Sequence, residues 1–273
     1  MTGDPRPIGI FDSGLGGLTV FRAVREHMPA ESLVYFGDTA RVPYGTKSAA
    51  AVTRFSREIV EFLLSCGVKA VVAACNSASA LALSHLEADY TLPCIGVIEP
   101  GAALAVELTR TGRIGVIGTR ATIASGAYER AILARNPGAA VLSHACPLLV
   151  SLVEEGWTDT PATRLIASEY LAPLRGQVDV LVLGCTHYPL LKPLLGEFMG
   201  PEVALVDSAE SCARALGRLL DEQELRAGDG AMAGERFCVS DAPEMFAELG
   251  ARFLGRPVGS VEHVAELVAA AKG

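Results

Sequence analysis

Residues 178–188 read VDVLVLGCTHY, and residues 69–78 read KAVVAACNSA. Each is a short apolar run, rich in valine, that stops at a cysteine followed by a small polar residue. A run of this length buried on both faces is the mark of a strand inside a parallel sheet. In an open α/β sheet the carboxyl end of such a strand, where a helix begins, is where ligands bind. The two stretches thus decide two things at once: a parallel α/β fold, and a thiol at a ligand-binding position in each half.

The neighbouring sequence extends the pattern. PIGIFD (7–12), SLVYFGD (32–38) and PCIGVI (93–98) read as strands, and GLTVFRAVREHM (17–28), SAAAVTRFSREIVEFLLSCG (48–67) and SASALALSHLEA (77–88) as helices between them. Phe55, Ile59, Phe62 and Leu63 share one face of the second helix. The series then restarts with RIGVIGT (113–119), followed by a helix over 122–135, a strand over 139–146 and a helix over 162–176 ending at Gly176. Ile8 corresponds to Ile114, 106 residues on, and Cys75 to Cys185, 110 residues on. Two anchors with nearly one offset indicate duplicated halves. After VALVDSAE come a helix over 211–225, a Gly-rich loop over 227–234, a strand over 236–241 and a helix over 242–255. A last helix is expected over 261–271. The expected fold is α/β, with two pseudo-symmetric domains, each a mostly parallel sheet flanked by helices, and a site in the cleft between them. Residues 1–98 plus 209–273 form the first domain and 99–208 the second.

The 273 residues carry a formal charge of −8, are half hydrophobic and one fifth charged. That supports a sizeable core and gives no positive field for nucleic acid. The amino terminus shows no signal-peptide pattern and no run is long enough to span a membrane, so a cytoplasmic protein is expected. Seven widely spaced cysteines with no C-x-x-C pair point to neither a disulfide framework nor a zinc site.

A thiol at a helix amino terminus is expected to have a lowered pKa and to be easily alkylated. The same N–H groups, with Asn76, Ser77 and Thr186, offer a carboxylate site. Two such thiols facing each other across a cleft suit inversion of a carbon stereocentre, in which one base removes a proton and an acid opposite returns another. FDSGLGGLTV (11–20) fails the G-x-G-x-x-G pattern, since Thr19 takes the third glycine position. It reads either as a turn with Asp12 or Ser13 capping the next helix, or as a loop that projects both residues into the cleft. GDTARVPYGTKS (37–48) reads as a loop that brings Tyr44 and Gly45 to the site. His187 is either a surface residue or a helper of Cys185. LVEEGW (152–157) reads slightly better as a solvated helix face than as a segment that brings Glu154 in.

Together, IGIFDSGLGGLTV, YFGDTARVPYG, AACNSASA, ACPLLVSLVEEG and LGCTHYPLL resemble the glutamate racemases of the aspartate/glutamate racemase family. The resemblance implies a cofactor-independent isomerase that interconverts L- and D-glutamate for peptidoglycan, with no metal and no pyridoxal phosphate. It implies Cys75 and Cys185 as the acid/base pair, with Asp12 and His187, and less strongly Asp38 and Glu154, assisting proton transfer. It implies Asp12, Ser13, Tyr44, Gly45, Asn76, Ser77, Thr186 and His187 as glutamate contacts, Ser77 standing where Thr is usual, and a homodimer. The alternatives are a cysteine-nucleophile amidohydrolase using Cys185 and His187, and a non-catalytic two-lobed amino-acid-binding protein.

Overall fold

The structure is a computed structural model and describes residues 3–228 and 233–267. In chain order the first half holds β1 (Ile8–Asp12), α1 (Leu18–His27), β2 (Leu33–Gly37), α2 (Ala49–Ser65), β3 (Ala70–Ala73), α3 (Asn76–Leu81), α4 (Leu83–Asp89) and β4 (Cys94–Gly96), and α5 (Ile98–Leu108) leads into the second half, its Ala102 and Ala105 packed with Ile114 and Tyr128. The second half holds β5 (Arg113–Gly118), α6 (Arg120–Ala124), α7 (Ala127–Arg135), β6 (Ala140–Ala145), α8 (Leu148–Glu154), α9 (Pro161–Leu171), β7 (Val180–Gly184), α10 (Lys192–Met199) and β8 (Ala204–Asp207). The chain then adds α11 (Ser208–Glu222), β9 (Glu235–Val239), α12 (Pro243–Leu254) and β10 (Val261–His263).

Among the described residues ten strands form two parallel sheets, ordered β10-β9-β2-β1-β3-β4 and β6-β5-β7-β8. The order β2-β1-β3-β4 repeats as β6-β5-β7-β8. Registers repeat too: Ile8 pairs with Ala70 and Ile114 with Val180, and each of those partners lies five residues before a cysteine, Cys75 and Cys185. Even a close contact is duplicated. A Cβ on Gly9 would lie 3.2 Å from Val68, and one on Gly115 3.3 Å from Val178, 110 residues further on.

Side chains alternate across β1 and β5 with the period of two that a strand imposes. Ile8 and Ile10 join Leu18, Phe21, Leu183 and Leu216 in a core shared by both sheets, whereas Phe11 joins Val34, Ile59 and Leu63 beneath α2. Ile114 and Val116 face Tyr128, Ile132 and Val206. Burying one such side chain is worth about 1.5–3 kcal/mol. α2 begins where the Ser48 hydroxyl accepts from the Ala51 N–H, and ends before Gly67, whose φ of 73° lies in the left-handed region.

Several elements differ from the sequence reading. Residues 261–263 form a strand, not a helix, because Val261–His263 pair in parallel with Phe237–Val239 and satisfy their backbone there. The rest of that expected helix beyond residue 267 lies outside the described residues, as do residues 229–232 of the Gly-rich loop. The expected helix over 77–88 is two, α3 and α4. The Thr53 hydroxyl donates to the Leu81 carbonyl, and the His85 N–H turns to Ala82 instead. Gly126, at φ 64°, divides α6 from α7. α9 stops at Leu171, before Pro173, and Gly176 closes a separate turn. α5 has no counterpart in the sequence reading; Pro100 and Gly101 near its start mask it. The α1 N-cap is Gly17, with no side-chain bond, so neither Asp12 nor Ser13 caps it.

Candidate active site

Both cysteines leave the carboxyl ends of equivalent strands and line one cavity between the two halves. The cavity measures about 40 Å³. Ser13, Val42, Pro43, Tyr44, Gly45, Asn76, Ser77, Thr119, Val150, Glu154, Thr186 and His187 complete its wall. A site of this size has room for a few waters at most, so its walls must part to admit an amino acid.

Cys75 is the N-cap of α3, and its thiol lies 3.7 Å from the Ser13 hydroxyl. Asp12 stands beneath, 1 % exposed, with Oδ2 accepting from the Gly14 N–H at 2.9 Å. Its Oδ1 is buried with no partner. Burial raises the Asp12 pKa, opposed by the charge of His187 and by the N–H groups of Gly14, Gly17 and Ser13. The Cys75 thiol is pushed up to about 12, first by burial and then by the Asp12 charge. This reverses the expectation of a lowered pKa. The α3 amino terminus acts in the expected direction, through the Ala78 N–H, but burial outweighs it. A protonated thiol is a weak nucleophile. Cys75 should therefore resist iodoacetamide at pH 7, its labelling rising about tenfold per pH unit above that. Peptide mass spectrometry over pH 7–9 would show it, and labelling at pH 7 as fast as that of a free thiol would refute it.

Cys185 differs from its counterpart in the residues C-terminal to it. Behind it comes a turn and a 3₁₀ segment, Tyr188–Leu191, before α10 begins. Pro189 has no N–H to give the Cys185 carbonyl, which would be the first bond of an α-helix capped at Cys185, so the expected helix amino terminus does not form there. His187 takes over the local chemistry. Its Nδ1 lies 3.8 Å from the Cys185 sulfur and 3.4 Å from the Thr186 hydroxyl, and its Nε2 lies 3.0 Å from Glu154 Oε1. Burial disfavours a charged imidazole, yet the bonds to Cys185 and Glu154, with their charges, carry its pKa up to about 10. Glu154 thus reaches the site at the end of α8, and the solvated reading of LVEEGW does not hold for it.

The remaining residues divide between the cavity and its supports. The Ser77 hydroxyl lies 3.0 Å from that of Thr119 and 3.3 Å from that of Thr122, across the halves. Asn76 meets the Tyr128 hydroxyl through Oδ1 at 2.8 Å, and its buried Nδ2 has no partner. Tyr44 donates to Asp38, which also accepts from Arg41 at 2.7 Å and from the Ser240 hydroxyl at 2.9 Å. Asp38 is absent from the cavity wall and holds Tyr44 from behind. The sequence reading does not include Thr119, although the repeat points to it: it follows β5 as Ser13 follows β1. A Cβ on Gly45 would sit 2.8 Å from Thr119 Cβ, so this glycine lets the loop close on the opposite half. Among the described residues no cluster of three His, Cys, Asp or Glu side chains is arranged to hold a metal ion, and no helix is long and apolar enough to cross a membrane.

Residues 18–216 match the family model for Asp/Glu/Hydantoin racemases. A glutamate racemase of Geobacter metallireducens is 52 % identical over 260 residues, covering 95 % of this chain and 96 % of that protein. The crystal structure of glutamate racemase isoform RacE1 from Bacillus anthracis superposes with a TM-score of 0.93 at 40 % identity, covering 97 % of this chain and 99 % of that one. A glutamate racemase from Francisella tularensis, solved in complex with D-glutamate, gives 0.89 at 39 % identity, over 96 % and 98 % of the two chains. A duplicated α/β fold with a cysteine from each half in one cavity, carried on a sequence this close to those relatives, places the chain in the Asp/Glu/Hydantoin racemase family of isomerases.

Proposed function

We propose that the chain interconverts L- and D-glutamate by two-base proton transfer between the substrate α-carbon and Cys75 and Cys185. The observation that carries this reading is the equivalence of the two cysteines. Each lies five residues past the register partner of a central strand, one per half, and both line the same cavity. In each direction a thiolate takes the α-proton and becomes a thiol. The carbanion then takes a proton from the opposite thiol, which becomes a thiolate. One proton leaves the substrate and one enters, so no co-reactant is needed. Asp12 stands beside Cys75, and His187 with Glu154 beside Cys185, to relay protons as the cysteines exchange roles.

Two buried atoms without partners suit an amino acid: Asn76 Nδ2, on the cavity wall, as a donor to a carboxylate, and Asp12 Oδ1, one residue behind the Ser13 of that wall, as an acceptor for an ammonium once the walls part. Ser13, Tyr44, Gly45, Ser77, Thr186 and His187 complete the glutamate contacts in this reading. Asp38 acts through Tyr44. The domain division at residues 98 and 208, with 209–273 returning to the first half, agrees with β9 pairing beside β2. A cytoplasmic homodimer that supplies D-glutamate for peptidoglycan belongs to the same proposal.

Isotope incorporation tests it. In D2O, with no cofactor added, the D-glutamate formed early from L-glutamate should carry deuterium at the α-carbon almost completely, because the delivering thiol has equilibrated with solvent. The unreacted L-glutamate should keep most of its hydrogen. The pattern should reverse from D-glutamate. Mass spectrometry of the separated enantiomers at low conversion reads the result. Substantial undeuterated product would point to one base serving both faces.

A further inference from the structure

Tyr128, on α7 of the second half, is 2 % exposed, and its hydroxyl reaches across to Asn76 of the first half. The ring sits in a slot made by two glycines. A Cβ on Gly101 would lie 3.3 Å from it, and one on Gly184 3.0 Å. Burial pushes the phenol pKa up, so the hydroxyl keeps its proton at any working pH. The hydroxyl donates that proton to Asn76, and the Asn76 atom it meets is an acceptor. That fixes Oδ1 on Tyr128 at 2.8 Å and turns Nδ2 away from it, buried and without a partner, on a residue that lines the cavity.

We infer that Tyr128 is a positioning residue. By holding the Asn76 carbonyl from the opposite half, it aims the Asn76 amide N–H groups at a carboxylate oxygen of the bound amino acid. The inference rests on the reading of Asn76 as a substrate contact. It also links substrate binding to the closed arrangement of the halves, because the donor that orders the amide comes from the other side of the cavity. An amide without this anchor rotates between a donor and an acceptor face, and an anion is held only by one of them.

The test measures KM and kcat for L-glutamate in four variants, each with a melting temperature. Tyr128→Phe keeps the ring and removes one oxygen. It should raise KM about tenfold and leave kcat within about threefold, since the contact holds ground and transition states alike. Asn76→Ala should raise KM at least as much, and adding Tyr128→Phe to it should change KM no further. Asn76→Asp keeps an acceptor for Tyr128 but turns an oxygen toward the substrate, so its KM should rise as in Asn76→Ala. This arm holds whether or not Tyr128→Phe folds. The inference is overturned if Tyr128→Phe leaves KM within twofold while Asn76→Ala raises it. It is also overturned if Tyr128→Phe costs as much in the Asn76→Ala background as alone, or if Asn76→Asp binds glutamate as well as the parent. An unchanged KM in Asn76→Ala overturns the substrate role of Asn76 itself, and the inference with it.

Discussion

Cys75→Ala and Cys185→Ala should each lower the racemisation rate by about a thousandfold or more, yet neither should abolish proton chemistry. Positioned acid/base groups contribute roughly 10²–10⁴-fold each, and a thousandfold is about 4 kcal/mol of barrier. The loss must be equal in both directions. L- and D-glutamate have the same free energy in water, so kcat/KM for the two enantiomers is equal in any variant, and steady-state rates alone cannot say which cysteine serves which face. Exchange can. With Cys75 gone, Cys185 still faces one side of the α-carbon. It can remove that proton, equilibrate in D2O and return deuterium to the same face. One enantiomer then gains deuterium without inverting. Cys185→Ala should label the other enantiomer. Proton NMR of the α-position, followed separately for pure L- and pure D-glutamate, gives the readout. A single variant that exchanges both enantiomers would mean one base reaches both faces. Variants that racemise within tenfold of the parent would remove the cysteines from the chemistry. An amidohydrolase would need Cys185 and His187 alone, and a binding protein neither thiol.

Strand positions are legible in the sequence because the pattern is duplicated and each central strand is buried on both faces. IGIFD and VLVLG have no polar residue to spoil the reading until the strand ends, and the same offset that pairs Ile8 with Ile114 also pairs Ser13 with Thr119. The illegible parts depend on contacts distant in the chain. VEHVAELV fits a helical or an extended pattern, and only the free edge of β9 decides for a strand at Val261–His263. The break at Ala82 comes from Thr53, on another helix. The environment of Cys75 shows the same limit. A helix begins directly after it in the sequence, and the expected sign comes from that alone, but the opposing burial comes from residues far off in the chain, Phe11, Tyr44 and Phe55 among them. The resemblance implies Asp38 as a weaker helper in proton transfer, whereas one of the bonds that tie it down comes from Ser240, 202 residues on.

Gly16→Ala should cost about a hundredfold or more in kcat, while Gly14→Ala, two residues earlier in the same loop, should stay within about threefold of the parent. Neither glycine sits in the left-handed region, so backbone strain does not separate them. Space does. A Cβ on Gly14 would meet only Val42, at 3.4 Å, an ordinary contact with a side chain. A Cβ on Gly16 would fall 2.2 Å from Thr186 Oγ1 and 2.6 Å from His187 Nδ1. One of the partners must then move by about an ångström, a displacement that can cost on the order of 10²-fold in rate. Neither is free to do so. The Thr186 carbonyl accepts from the Thr19 hydroxyl at 3.3 Å, and His187 is held by Glu154 at 3.0 Å and by the edge-on ring of Phe253, 5.2 Å between centroids. The loop that resembles a phosphate cradle is therefore a packing surface: its glycine lets the first half press directly on the residues beside Cys185. A displaced imidazole loses the contacts that raise its pKa to about 10, so the Gly16→Ala protein should also titrate His187 at lower pH. NMR of the His187 ring and kcat together distinguish this from a simple loss of stability. A Gly16→Ala enzyme within threefold of the parent, with His187 unshifted, would show that the halves can separate at this contact without disturbing the chemistry.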